Sequence, residues 1–370
     1  MGIFQNVSET FSREAKKYTT IFLPKHRVDK DYDDTPIRAG EAYCRIWLED
    51  MNLAKDVDWF KQRYPVVNAA VRFHYDSKLV TIPFLAAPGQ LKDLGSNNLD
   101  KVILERCPLT PLFPFNQGLV EFEAGLFSMA ASDSIGKFIE TMGRFAKLLP
   151  TPQLSTVLNL AEPVYRGIED LLDIGERRLE LGYRQTFSDA DGGSSNFLRE
   201  GYFAVILAEE REIQMENLCV VKDNLRLGSP GNTKVFLRDS KPFKGFSYML
   251  FRIEKRKQQD WESLETIKEL VTQAQNAIYS GEYDKVKKFI LPAIEIAILQ
   301  SPDVAKADRR NMILKIGEEL KEVGLQSTKV QKRSLYSIMQ RPLPEIDAAT
   351  EAELASLEQL FQQNGQEISL

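Results

Sequence analysis

The sequence predicts an α+β fold: a β-rich domain, sandwich-like or built on a mixed sheet, with an inserted helical hairpin and a small helical domain after it. Three observations predict it. Residues 42–126 hold short runs of β-forming residues, punctuated by prolines 83, 88, 108, 111 and 114 that suit short strands and loops. Residues 132–181 switch to apolar spacings of three and four. From Asp260 to about Val323 the helical spacing returns and persists. Strands do not alternate regularly with helices, which argues against a doubly wound sheet.

In chain order, Ile3, Phe4, Val7, Phe11, Ala15 and Tyr18 recur at helical spacing, so residues 1–20 read as an amphipathic helix that Pro24 ends. Tyr43–Leu48 reads as a strand. Val66–Tyr75 and Leu79–Leu85 flank Asp76-Ser77-Lys78 as a hairpin, with Val102–Arg106 and Leu119–Phe122 as further strands. Ser132 or Asp133 caps a helix with Ile135, Phe138, Ile139, Met142, Phe145 and Leu149 on one side and Lys137, Glu140, Arg144 and Lys147 on the other. Thr151-Pro152 opens its partner, which runs through Leu154, Val157, Leu158 and Tyr165 to Leu172. Strands resume at Tyr202–Leu207, at Leu218–Val221 and Leu225–Leu227 around Lys222-Asp223-Asn224, and at Tyr248–Ile253. Three helices follow, over Trp261–Ser280, Glu282–Gln300 and Ala305–Val323.

The domain layout read from this is an N-terminal helix (1–24), an α+β domain (25–258) with its insertion at 132–181, a helical domain (259–325) and a linker with an acidic tail (326–370). In the tail, Leu354, Leu357, Leu360 and Phe361 share a helical face, and from Pro342 onward there are six acidic side chains and no Lys or Arg.

Composition narrows the function. With 43% hydrophobic and 27% charged residues, the 370-residue chain is that of a folded globular protein. A net charge of −5 argues against binding nucleic acid through a broad basic face. Cys44, Cys107 and Cys219 are far apart and odd in number, which fits reduced, buried thiols and a cytoplasmic location better than disulfides or zinc. The N-terminus lacks a secretory pattern, and Asn6 stands where myristoylation needs Ser or Thr. The longest apolar stretch, Phe289–Leu299, contains Pro292 and Glu295 and is too short to span a bilayer.

Chemistry-bearing motifs are sparse. Only His26 and His74 are available for acid–base work near neutral pH. Asp29, Asp31 and Asp33 alternate as in a calcium loop, but Asp34 stands where the turn needs Gly and Gly40 where a bidentate Glu is expected. Asp189-Ala190-Asp191-Gly192-Gly193 is a second acidic loop with cation-site or hinge potential. Phosphate-cradling, nucleophile-elbow and zinc-protease motifs are missing, and no cofactor or small-molecule signature is evident.

The expectation is therefore a non-catalytic interaction or assembly protein, with a protein partner or self-association through apolar helix faces that include Leu357 and Phe361. Two alternatives stand beside it. One is a membrane-active effector using the amphipathic hairpin 132–181, whose cationic segment 135–149 has the pattern of a helix that lies on lipid. The other is a metal-dependent hydrolase using Asp29, Asp31 and Asp33.

Overall fold

The computed structural model of the chain describes residues 18–54, 57–58, 61–86, 107–130, 154, 157–158, 177–189, 196–228 and 239–325. Its strands are β1 (Thr19–Phe22), β2 (Tyr43–Asn52), β3 (Val57–Asp58), β4 (Lys61–Tyr75), β5 (Lys78–Ala86), β6 (Cys107–Pro108), β7 (Phe113–Pro114), β8 (Leu119–Ala130), β9 (Arg177–Ser188), β10 (Gly201–Ile206), β11 (Leu218–Val221), β12 (Asn224–Leu227), β13 (Lys241–Pro242) and β14 (Tyr248–Arg256). Every pairing between them is antiparallel. The sheet-rich α+β expectation holds at that level.

Three sheets form. The central one runs β1-β10-β14-β2, with β6 and β7 both on the free edge of β2. Their prolines, Pro108 and Pro114, sit at that edge, where a missing N–H costs no interior ladder bond. A five-stranded sheet is built on β4, β8 and β9 with β5 and β3 beside β4, and β11-β12-β13 make a small third sheet.

The apolar runs explain how these sheets stack. In Gly201–Ile206 every residue is buried. Phe203, Val205, Met249, Phe251 and Ile253 join Val67, Val71, Val120, Phe122, Leu181 and Tyr183 in one core against the five-stranded sheet. Tyr202, Ala204, Ile206, Tyr248 and Leu250 point the other way and join Leu218, Val220 and Leu225 in a second core. Strands β10 and β14 are thus covered on both faces, which is why they read as near-continuous apolar runs instead of alternating ones.

Both predicted hairpins exist, but each turn has two residues, not three. Asp76 and Ser77 have φ of 47° and 62°, and Lys222 and Asp223 have 51° and 63°. Two successive positive φ values match the right-handed twist of the flanking strands, so Lys78 and Asn224 are already paired.

Two helical expectations are corrected. Thr19–Phe22 is a strand on the edge of β10, where Thr19, Thr20 and Ile21 favour the pleat. Arg177–Leu181, assigned to the helical insertion, begins β9. There Leu181, Tyr183 and Phe187 alternate into the core, and this period of two wins over the helical spacing of the leucines before it. Of the rest of the insertion, Leu154, Val157 and Leu158 are described: all three are helical, and Leu154 and Val157 are buried in the main core. Val102–Arg106 lies outside the described residues.

Among the described residues the helical part comprises α1 (Glu265–Tyr279), α2 (Leu291–Gln300) and α3 (Arg309–Glu322). Helix α1 stops at Gly281, whose φ of 76° suits a glycine after a helix end. The helix predicted over Glu282–Gln300 is interrupted by a π turn at Val286–Ile290, where the Leu291 amide donates to the Val286 carbonyl just before Pro292, which has no amide N–H to donate. Helix α3 begins later than expected because residues 301–308 dock on the sheets. Tyr43 Oη donates to Asp308 Oδ2 at 2.8 Å, Tyr75 Oη donates to Asp303 Oδ1 at 2.9 Å, and Ala307 N donates to the Gly40 carbonyl at 2.9 Å.

Chain contacts divide the protein into a unit ending at Val323 and a second from Gly324 to Leu370. No helix among the described residues is long and apolar enough to cross a membrane.

Gly201 is the position where the fold most needs glycine. Its φ is 139°, and a Cβ there would lie 2.8 Å from the Phe22 ring and 2.9 Å from the Tyr32 ring. Gly201→Ala is expected to destabilise by about 1–3 kcal/mol through overpacking and backbone strain. Urea unfolding with an unchanged midpoint would refute this.

Candidate interaction surfaces

The alternating aspartates do not converge. Asp29 Oδ2 accepts from the Lys222 amide at 2.7 Å, Asp31 pairs with Lys25 at 2.7 Å, and Asp33 accepts from the Thr35 hydroxyl at 2.7 Å and from Lys255 at 3.2 Å. The Thr35 hydroxyl and amide, with Lys255 behind them, hold the Asp33 carboxyl down at about 2. Among the described residues no group of three or more His, Cys, Asp or Glu is placed to hold a metal ion.

His26 lies exposed on a 3-10 turn, and His74 is half-buried near the tip of the β4–β5 hairpin. Cys44 and Cys219 are free and buried, and burial pushes both thiols up. Ile135, Phe138, Ile139, Met142, Phe145 and Leu149 lie outside the described residues, as do Leu357 and Phe361. Asp189 donates its amide to the Gly118 carbonyl at 2.8 Å, and residues 190–195 of that loop are also outside.

Two surfaces stand out on what is described. The first is α2 and the turn before it. Glu295 is the only charged residue in Leu291–Gln300 (LPAIEIAILQ), so the helix is apolar nearly all round. Ile294 and Ile298 are buried, while Phe289, Ile296 and Leu299 are 69%, 52% and 51% exposed. Positions 289, 292, 296 and 299 recur at helical spacing and form one apolar stripe, with Pro292 also exposed. A helix apolar on all sides belongs in an interior, yet this one leaves a face open to solvent. Tyr279, the last residue of α1, and Tyr283, between α1 and α2, are exposed as well.

The second surface is a strip of the central sheet, on the face that carries the small sheet. Register places Pro108, Trp47, Arg252 and Tyr202 side by side in one row and Arg45 beside Glu254 in the next. Beyond these rows, Tyr43 is covered by Leu112 and Ala305 at one end, and Tyr248 and Leu250 are covered by the small sheet at the other. Within the strip, Trp47 Nε1 donates to Glu254 Oε2 at 2.7 Å and Arg256 Nε donates to Glu254 Oε1 at 2.5 Å. Arg252 Nε donates to the carboxylate of Glu49, the extra residue of a β-bulge in β2. The guanidinium carbons of Arg252 and Arg45 lie 4.9 and 5.6 Å from the Trp47 ring centre.

Burial shapes the charges here. It works to raise the Glu254 carboxyl, but the Trp47 indole and Arg256 outweigh it and hold that carboxyl low. Burial raises the Glu49 carboxyl against the pull of Arg252. It also lowers the Arg45 guanidinium against the pull of Glu254.

The sequence reading passed over this strip. Its signal is an alternation, Arg45-x-Trp47 in one strand and Arg252-x-Glu254-x-Arg256 in the other, which puts polar side chains on a single face.

Together these features describe a β-rich α+β protein with an exposed apolar helix face and a Trp–Arg strip on one face of its central sheet. The chain matches no family model, no curated protein and no solved structure.

Proposed function

We propose that this chain is a non-catalytic interaction or assembly protein that buries the Phe289–Leu299 helix face against a protein partner or a further copy of itself. The supporting observation is the apolar α2 with Phe289, Ile296 and Leu299 exposed. Contiguous exposed apolar surface of this kind marks interaction sites. The helical insertion 132–181, shortened to 132–176 by strand β9, the helical domain over 259–325 and the acidic tail complete the proposed layout. Burial of Leu154 and Val157 in the main core supports an insertion anchored on the sheets, and weighs against one that leaves them for a membrane. The free, buried Cys44 and Cys219 suit a reducing compartment such as the cytoplasm.

Sedimentation velocity and native mass spectrometry of the untagged, gently purified protein test the reading. The wild type is expected to run above its 42.2 kDa chain mass, as multiple copies or with a bound chain. Ile296→Lys with Leu299→Lys changes only exposed positions, so the fold is retained while the assembly dissociates. A bare wild-type monomer, or a double variant with the same assembly, overturns the proposal.

A further inference from the structure

The Trp47 strip carries more guanidinium than carboxylate. Arg45, Arg252 and Arg256 face Glu49 and Glu254. Both Glu254 oxygens are engaged, one by the Trp47 indole and one by Arg256, and Glu49 is engaged by Arg252. Arg45 is the cation left over. Its Nε is buried and has no hydrogen-bond acceptor among the described residues. Its guanidinium stacks at the Trp47 ring. A guanidinium is a planar fork of five donors, always charged, and best satisfied by a carboxylate or phosphate that meets two donors at once.

The surplus of one cation decides between anions. A nucleic-acid backbone presents a row of phosphates and needs several cations along it. The strip offers one cation whose buried Nε has no hydrogen-bonded partner among the described residues, on a chain of net charge −5. A single carboxylate balances it. Trp and Arg are also among the side chains that dominate the energetics of protein–protein contacts. The docked ends of the strip, against residues 301–308 and against the small sheet, make its floor rigid.

We propose that this strip docks an acidic peptide segment of a partner protein, with an Asp or Glu carboxylate held by Arg45 and the neighbouring peptide surface laid on the Trp47 indole. The site lies on β2 and β14 and is separate from the α2 face, so it goes beyond the assembly reading. Its test does not read oligomeric mass, so either idea fails without the other.

The test is a titration of the full chain with its tryptophan indoles labelled with nitrogen-15. The chain has three tryptophans, and Trp47→Phe identifies the Trp47 signal. The probe is a blocked hexaglutamate peptide. A hexaglutamine peptide, inorganic phosphate and a single-stranded oligothymidylate serve as comparison ligands. The glutamate peptide is expected to move the Trp47 indole signal saturably, and the glutamine peptide to leave it in place. Arg45→Gln is expected to weaken binding about tenfold, the loss of one charge-assisted contact. Arg45→Lys, which keeps the charge without the fork, is expected to fall between. The Trp261 indole, which donates to Glu319 at 3.0 Å, reports whether each variant keeps its fold. If Arg45→Gln disturbs that signal, Arg45→Lys decides. An unmoved Trp47 signal, undiminished binding in the folded Arg45 variants, or tighter binding by phosphate or the oligonucleotide overturns the proposal.

Discussion

Phe203→Ala is expected to lower the unfolding free energy by about 3–5 kcal/mol, the cost of removing a fully buried aromatic ring. Phe203 is 1% exposed and sits where two sheets meet. Its ring centre lies 5.1 Å from Phe251, 5.8 Å from Tyr183 and from Phe187, and 6.1 Å from Phe22 and from Phe122. These surrounding rings come from four strands, so no single backbone shift closes the gap that truncation leaves. Urea unfolding is expected to show a large fall in midpoint with an unchanged slope. Leu314→Ala is the control: truncating a side chain that is 54% exposed on α3 is expected to stay within about 0.5 kcal/mol. Equal effects at the two positions would mean that the sheets are not packed as described.

What the sequence revealed and what it hid follow from the range of the signals. Tyr202–Leu207 and Tyr248–Ile253 were legible as strands because both faces are covered and the runs stay apolar. The turns at Asp76 and Lys222 were legible because turn residues interrupt those patterns. Strand β9 was hidden because its charged start, Arg177-Arg178-x-Glu180, follows leucines at helical spacing, and only the partner β8 fixes its period at two. Strand β1 was hidden because its four residues gain their ladder from β10, nearly two hundred positions away. The surfaces were harder still. Phe289–Leu299 was noticed as the longest apolar stretch, but periodicity cannot say which sides of a helix the rest of the chain covers. Arg45, Trp47 and Arg252 look like ordinary strand residues until the register of β2 with β14 sets them side by side.

The Arg252–Glu49 pair has the other large expected effect, and it also asks what holds the strip together. The Glu49 side chain is 2% exposed at a β-bulge, and Arg252 donates to its carboxylate. Removing one partner of such a pair leaves a buried charge uncompensated, which costs about 3–5 kcal/mol; replacing both with apolar groups of similar shape is close to neutral. Arg252→Met is therefore expected to destabilise strongly, and Arg252→Met combined with Glu49→Leu to recover most of the loss. A double-mutant cycle by urea unfolding measures that coupling. The pH dependence identifies the cause. Burial already raises the Glu49 carboxyl with Arg252 in place, and without Arg252 it rises further. A folded-state value above the unfolded one means that the folded state holds the proton more tightly, so the stability of Arg252→Met falls as pH rises through the window between the two. The gap between wild type and Arg252→Met is thus expected to narrow toward acid, where Glu49 enters the fold protonated. A gap independent of pH, with no recovery in the double variant, would assign the role of Arg252 to its packing on Trp47 instead of its charge on Glu49.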